Sequence, residues 1–326
     1  MMSKPKVYVT RRLPQKALDM LGAECEVEIN PYDRVLTKEE LAEAVKGIDG
    51  LLCLLTDTID EDLLDVNPAL KVIANYAVGY NNIDIKACTE RGIPVSNTPG
   101  VLTDTTADFA WTLLMVTARR VVEADRFTRA GKYKGWGPMM FLGGDIYGKT
   151  LGVIGMGRIG QSFAKRARGF NMNVIYYDVY RRTSEEEKKW GIKYRELDTL
   201  LEEADFVSLH VPLIPETEHL IGEKELKLMK KTAYLINTAR GPIVDEKALV
   251  EALKNGEIAG AGLDVYEEEP ELASGLTELD NVTLAPHIAS ASIETRTKMA
   301  EMAVENLLAG LKGQDMPNII NKEVFK

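Results

Sequence analysis

The stretch from Leu151 to Asp178, LGVIGMGRIGQSFAKRARGFNMNVIYYD, constrains the fold of this chain more than any other. Leu151 to Ile154 is an apolar run suited to a buried strand. Gly155-Met156-Gly157-Arg158-Ile159-Gly160 matches G-x-G-x-x-G, residues 158–169 read as a helix, and Asn173 to Tyr177 as a second strand. The three glycines serve different ends. The first makes a tight turn, the second lets backbone approach a pyrophosphate, and the third lets helix and strand pack closely. The helix N-terminus then offers free N–H groups to the phosphates. The motif alone is weak evidence. The strand before it, the helix and strand after it, and Asp178 closing that second strand give it the setting of a dinucleotide-binding unit. An acid at this place accepts hydrogen bonds from the ribose hydroxyls and repels a 2′-phosphate, which favours NAD(H). Arg181 and Arg182 follow closely and keep NADP(H) possible.

The rest of the chain reads as two α/β bodies. Its 326 residues, 45% of them hydrophobic, allow about two domains of ordinary size. In the first hundred residues, apolar runs at 7–9, 27–29, 51–55, 71–75 and 94–97 alternate with helix-like segments at 14–21, 37–46, 60–65 and 82–91, which predicts a parallel sheet covered by helices. From Thr103 to about Arg129 the pattern predicts one long helix, apolar on nearly every face as far as Ala118 and therefore buried all round. A Gly-rich loop follows, GKYKGWGPMMFLGG, whose Trp136 and Phe141 suggest a covered site. A second alternating series runs from Thr150 to Ala285 and requires a second sheet. The last helix, 292–311, carries Ile293, Ala300, Val304, Leu307 and Leu311 on one stripe.

Composition narrows the partners. A net charge of −10 excludes a general nucleic-acid surface and points to small molecules. Cys25, Cys53 and Cys88 are odd in number with no C-x-x-C, so neither a disulfide framework nor a thiolate metal site is expected, and a reducing cytoplasm fits. The apolar run in MMSKPKVYVT is too short for a signal peptide or a membrane span.

Reduction of a carbonyl by a dinucleotide calls for a proton donor working near neutral pH and, for an anionic substrate, a cation. The chain has three histidines. His210 ends the apolar run FVSLH and reads as a packed structural residue, and His219, in PETEHL, as a surface one. His287, in LAPHIAS, follows a strand and lies where ligand sites of open α/β sheets gather. Arg240 holds a similar place in AYLINTARGPIVD, and a cation there implies an anion nearby. In the acidic run of GLDVYEEEP, Glu267 and Glu268 read as solvated charge, while Glu269, fixed against Pro270, is the better candidate to hold the His287 imidazole. The residues alone do not rank the three glutamates firmly.

Together these motifs resemble the D-isomer-specific 2-hydroxyacid dehydrogenase family, most closely its archaeal glyoxylate and hydroxypyruvate reductase branch. The likeness spans nearly the whole chain, through NYAVGYNNID at 75–84, NTPGVLTDTTAD at 97–108, GKTLGVIGMGRIG at 148–160, HVPL at 210–213, INTARGPIVDEKAL at 236–249, AGLDVYEEEP at 261–270 and LAPHIAS at 284–290. It implies two Rossmann-like parallel-sheet domains: a discontinuous, flavodoxin-like substrate domain (1–99 and 288–326) and an inserted NAD(P)-binding domain (100–287). It implies a catalytic set of Arg240, Glu269 and His287, the glutamate being the one that directly precedes proline. Backbone N–H groups of Val78 and Gly79, with Arg240 and His287, would hold the substrate. Cofactor contacts would come from Thr106, Gly157, Arg158, Ile159, Gly160, Asp178, Val211, Thr238, Ala239, Arg240, Asp264, His287 and Ala289, with Asp264 meeting the nicotinamide amide. Relatives in this branch often carry a small polar residue at the place of Asp178, so their NADP(H) habit need not extend to this chain.

The resemblance further implies reduction of a small 2-oxo acid, a homodimer formed through the cofactor domain, and no resident metal. Three rivals share the fold. A phosphoglycerate dehydrogenase would be expected to carry a regulatory domain after NIINKEVFK and a further basic cluster. A formate dehydrogenase would have Gln-Pro-His where this chain has Ala-Pro-His. An NAD-sensing corepressor would be expected to carry a long disordered tail.

Overall fold

The computed structural model describes residues 3–325 and divides into two compact units, one up to Leu102 and again from Ala291 onward, the other Thr103–Ser290. The first unit runs β1 (Lys6–Val9), α1 (Gln15–Glu24), β2 (Glu26–Ile29), α2 (Lys38–Ala44), β3 (Gly50–Cys53), α3 (Glu61–Val66), β4 (Val72–Asn75), α4 (Ile85–Glu90) and β5 (Val95–Ser96). Its strands lie in the order β2-β1-β3-β4-β5, every neighbouring pair parallel. β3 and β4 are buried along their whole length, so their sequences, GLLC and VIAN, are continuous rather than alternating apolar runs. Short helices start where a side chain can take an orphan N–H: Thr37 and Glu40 form a capping box on α2, and Asp60 and Asp84 cap α3 and α4.

The second unit contains α5 (Thr103–Ala118), α6 (Val121–Arg129), β6 (Thr150–Ile154), α7 (Arg158–Arg166), β7 (Asn173–Tyr177), α8 (Ser184–Trp190), β8 (Ile192–Tyr194), α9 (Leu197–Glu203), β9 (Phe206–Leu209), α10 (Glu223–Leu228), β10 (Tyr234–Asn237), α11 (Glu246–Lys254), β11 (Gly260–Leu263) and β12 (Val282–Leu284). The sheet order is β12-β11-β10-β9-β6-β7-β8, again parallel throughout. Strand order reverses at β6, between β9 and β7, and such a reversal opens a crevice at the carboxyl ends of the strands. The chain then returns to the first unit as α12 (Ile293–Leu311), whose Leu307 and Leu311 lie over Gly50 of β3.

Two expectations are corrected here. The single helix expected from Thr103 to about Arg129 is two helices. The Ala118 carbonyl accepts the N–H of Gly144 at 2.9 Å, Arg120 turns left-handed (φ 53°), and its guanidinium holds Glu123 and the Leu142 carbonyl before α6 begins. Nor is α5 buried all round, since Asp108, Thr112 and Met115 are exposed on one stripe. Its buried side packs on α7, with Trp111 5.3 Å from Phe163 between ring centroids, and a ring as fully buried as Phe163 stabilises the fold by about 1.5–3 kcal/mol. In the Gly-rich loop, Phe141 rests on Phe127 (5.1 Å), whereas Trp136 is 83% exposed, so none of the described residues covers it.

Among the described residues no helix is long and apolar enough to cross a membrane, and no group of three or more His, Cys, Asp or Glu is placed to hold a metal ion. The three cysteines are free and buried.

Candidate active site

The candidates of the second unit leave one edge of the seven-stranded sheet. The glycine turn follows β6, Asp178 follows β7, His210 and Val211 follow β9, Thr238 to Arg240 follow β10, Asp264 follows β11 and His287 follows β12. Thr106 is buried in the first turn of α5.

At the turn, Gly155 has φ +92° and donates to the Tyr177 carbonyl at 2.9 Å, and a Cβ there would lie 2.6 Å from the His210 carbonyl oxygen. A Cβ on Gly160 would lie 2.0 Å from the Gly155 oxygen. Gly157 differs, with nothing within 4 Å, so the start of α7 faces open space. The Met156 peptide is held on both sides. Its N–H donates to Asp178 Oδ2 at 2.7 Å, and its carbonyl accepts from Gln161 Nε2 at 2.9 Å and Arg182 Nη2 at 2.5 Å. Asp178 Oδ1 accepts the N–H of Tyr180 at 2.9 Å. Each carboxylate oxygen has a second lone pair, so Asp178 retains capacity for two more donors. Arg181 is engaged elsewhere, on Glu187 at 3.0 Å and over the Tyr194 ring. The sequence pattern did not signal this clamp. Only the closeness of Arg182 to Asp178 hinted at it.

Three features fit a bound dinucleotide: the open helix start at Gly157, the lone pairs of Asp178, and the buried Thr238 hydroxyl, which has no partner among the described residues.

His287 Nδ1 lies 2.8 Å from Glu269 Oε2, and Glu269 Oε1 accepts the N–H of Tyr266 at 3.1 Å. The histidine backbone is left-handed (φ 55°) and is held on both sides. Its own N–H donates to the Asp264 carbonyl at 2.9 Å, and the Asp264 carboxylate accepts the N–H groups of Ile288 (2.8 Å) and Ala289 (2.7 Å). Asp264, assigned by resemblance to the cofactor amide, is thus fully buried with both oxygens on backbone. Burial pushes its carboxyl pKa up against those two hydrogen bonds. For Glu269, burial also pushes up, but the hydrogen bond and charge of His287, the Tyr266 N–H and Arg240 together hold the carboxyl below its ordinary value. Burial draws the Arg240 guanidinium down, opposed by Glu269. Its Nη1 donates to the Ala239 carbonyl at 2.7 Å. Glu269 is therefore coupled electrostatically to both Arg240 and His287.

The other histidines differ from this one. His210 meets Ser208 Oγ at 2.9 Å and lies 4.9 Å from the Phe163 ring, and burial pushes its pKa down to about 3, so it stays neutral as a structural residue would. His219 is exposed, but not idle, since its Nε2 lies 2.7 Å from Glu267 Oε1. Glu267, expected to be solvated charge, also accepts the Glu246 N–H at 3.2 Å, whereas Glu268 is exposed.

In the first unit, Val78 and Gly79 follow β4. The Ala77 carbonyl accepts from Thr98 N at 2.8 Å and the Val78 carbonyl from Asn97 Nδ2 at 2.7 Å. Because a trans peptide sends N–H opposite to C=O, the N–H groups of Val78 and Gly79 both face away from the segment after β5.

Fold and site define the class: an α/β dinucleotide-binding protein whose ligand edge also carries an imidazole–carboxylate pair and a half-buried arginine. Residues 111–289 match the family model described as D-isomer specific 2-hydroxyacid dehydrogenase, NAD binding domain. A glyoxylate reductase of Korarchaeum cryptofilum is 55% identical over 325 residues, covering 99% of this chain and 98% of that one, and one of Thermococcus kodakarensis is 53% identical over 327, with the same coverage. Among solved structures, a Thermus thermophilus protein superposes with TM-score 0.91 at 47% identity, over 97% of this chain and 99% of that one. An NADPH-dependent glyoxylate/hydroxypyruvate reductase of Sinorhizobium meliloti, in complex with NADP and malonate, gives 0.85 at 33% identity, over 99% and 98%. The chain belongs to the D-isomer-specific 2-hydroxyacid dehydrogenase family, whose members are NAD(P)-dependent oxidoreductases.

Proposed function

We propose that this chain reduces a small 2-oxo acid, glyoxylate or hydroxypyruvate, to the 2-hydroxy acid, with His287 as proton donor. The observation that carries this reading is the His287–Glu269 pair at 2.8 Å, on the ligand edge that also bears Arg240. The identity with glyoxylate reductases supports the substrate class. Glu269 holds Nδ1, which fixes the ring, and Nε2 is left to protonate the oxygen of the reduced carbonyl. Arg240, drawn down by burial, gains most from an anionic partner and orients the carboxylate. In the first unit, the N–H groups of Val78 and Gly79 would offer two donors to a carboxylate. Bound along the glycine turn, a reduced nicotinamide dinucleotide supplies the hydride.

Gly157 to Gly160 would receive the pyrophosphate, and Thr106, Val211, Thr238 and Ala239 would line the remaining path of the cofactor. Asp264 would serve the site through the backbone it holds around His287 and Ala289. NAD(H) is the favoured cofactor, because Arg182 is committed to Met156 and Arg181 to Glu187, while Asp178 presents a negative charge to any 2′-phosphate. A second copy of the chain would cover Trp136 and its loop in a homodimer, which sedimentation would detect.

The deciding experiment is a matrix of initial rates with glyoxylate, hydroxypyruvate, pyruvate and phosphohydroxypyruvate, each with NADH and NADPH. The highest kcat/KM is expected for glyoxylate or hydroxypyruvate with NADH. Tight NAD binding with no turnover of any 2-oxo acid would reverse the reading.

A further inference from the structure

His219 and Glu267 are separated by 48 positions, and neither has a part in the reaction described above. Three segments meet around them. The His219 N–H donates to the Pro242 carbonyl at 2.8 Å, Ile221 N to the Ile243 carbonyl at 3.1 Å, and Asp245 N back to the Ile221 carbonyl at 3.0 Å, so residues 219–221 run paired with the chain just after Arg240. Gly241 presses on the third segment so closely that a Cβ would lie 1.8 Å from the Tyr266 carbonyl carbon. That segment is itself a tight turn, with Tyr266 N on Glu269 Oε1 and Glu271 N on the Glu268 carbonyl at 2.8 Å. The His219 side chain closes the ring by reaching Glu267, whose other oxygen accepts the Glu246 N–H.

The ring atom used distinguishes this histidine from His287. His219 meets its glutamate through Nε2, whereas His287 meets Glu269 through Nδ1. Its left-handed backbone (φ 49°) is a conformation that a non-glycine residue keeps only where its surroundings demand it.

We propose that His219, acting through Glu267, is a positioning residue that fixes the spacing of Arg240 from Glu269, and so the hold on the substrate carboxylate. The proposal rests on the reading of Arg240 and Glu269 given above. The test uses the full chain with His219→Ala and His219→Gln, the amide of glutamine being able to donate to Glu267 in place of Nε2. In His219→Ala, KM for glyoxylate rises about tenfold while kcat falls less than about threefold, as loss of one charge-assisted contact would give. The Kd for NADH, followed by fluorescence, stays unchanged, and His219→Gln recovers most of the KM. With three histidines in the chain, side-chain ¹³C labelling gives a readable spectrum, in which the His287 signals move in His219→Ala and return in His219→Gln. A His219→Ala enzyme with wild-type KM, or a His219→Gln enzyme no better than His219→Ala, overturns the proposal. A wild type that turns over no 2-oxo acid sinks the functional reading instead, and the His287 signals then decide the positioning role alone.

Discussion

The turn that carries His287 and the loop that carries His219 look alike by distance. Each imidazole meets a glutamate, at 2.8 and 2.7 Å, and each histidine has a left-handed backbone, φ 55° and 49°. They differ in the nitrogen used and in what holds the backbone. His287 gives Nδ1 to Glu269 and keeps Nε2, and the buried Asp264 fixes the chain behind it. His219 gives Nε2 to Glu267, and its own N–H reaches the Pro242 carbonyl in the loop after Arg240. A short His–carboxylate contact is therefore no mark of catalysis by itself. The free distal nitrogen and the rigid support separate a proton donor from a staple.

The largest expected effect comes from His287→Ala, which should lower kcat by ~10²–10⁴-fold, the usual worth of general acid–base catalysis. Steady-state rates for the two histidine variants side by side break the comparison if His219→Ala loses as much kcat, or if His287→Ala loses less than about tenfold. Next comes Arg240→Ala. Removing a charged hydrogen bond worth about 1.5–3 kcal/mol should cut kcat/KM for glyoxylate by about 10- to 150-fold, and a loss under threefold would remove the arginine from the carboxylate. Asp264→Asn sharpens the contrast in backbone support. It leaves the N–H of either Ile288 or Ala289 without its carboxylate acceptor, at a cost of about 1–3 kcal/mol. The thermal midpoint should fall together with kcat, and an unchanged midpoint would mean that the turn behind His287 does not depend on this acid. The smallest effect is expected from Asp178→Ser, which should move the NADPH-to-NADH ratio of kcat/KM up by about tenfold through loss of a single charge. An unchanged ratio would leave Asp178 only its role on Met156.

Local chemistry explains which of these features could be read from the amino-acid order. Both parallel sheets follow from alternation of apolar runs with helical segments, and the glycine turn from the spacing of Gly155, Gly157 and Gly160 together with the strands around it. His287 and Arg240 stood out because each directly follows an apolar strand. Contacts between distant positions left no such trace. The break at Arg120 depends on Gly144 reaching the Ala118 carbonyl, and Glu267 reads with Glu268 as solvated charge because its partner lies 48 positions earlier. The engagement of Asp178 and Asp264 with backbone N–H groups depends on how strand ends curl, which residue types alone do not encode.

The central claim is that Glu269, through its contact with Nδ1 at 2.8 Å, holds the His287 ring so that Nε2 can protonate the substrate. His287, the Tyr266 N–H and Arg240 hold the Glu269 carboxyl below its ordinary value against its burial, so it stays an ionised acceptor for that ring. The direct test is kcat/KM for glyoxylate reduction in the wild type and in Glu269→Ala. It should fall by about tenfold or more in the variant, which leaves Nδ1 without its charged acceptor. Equal values in the two enzymes would contradict the account.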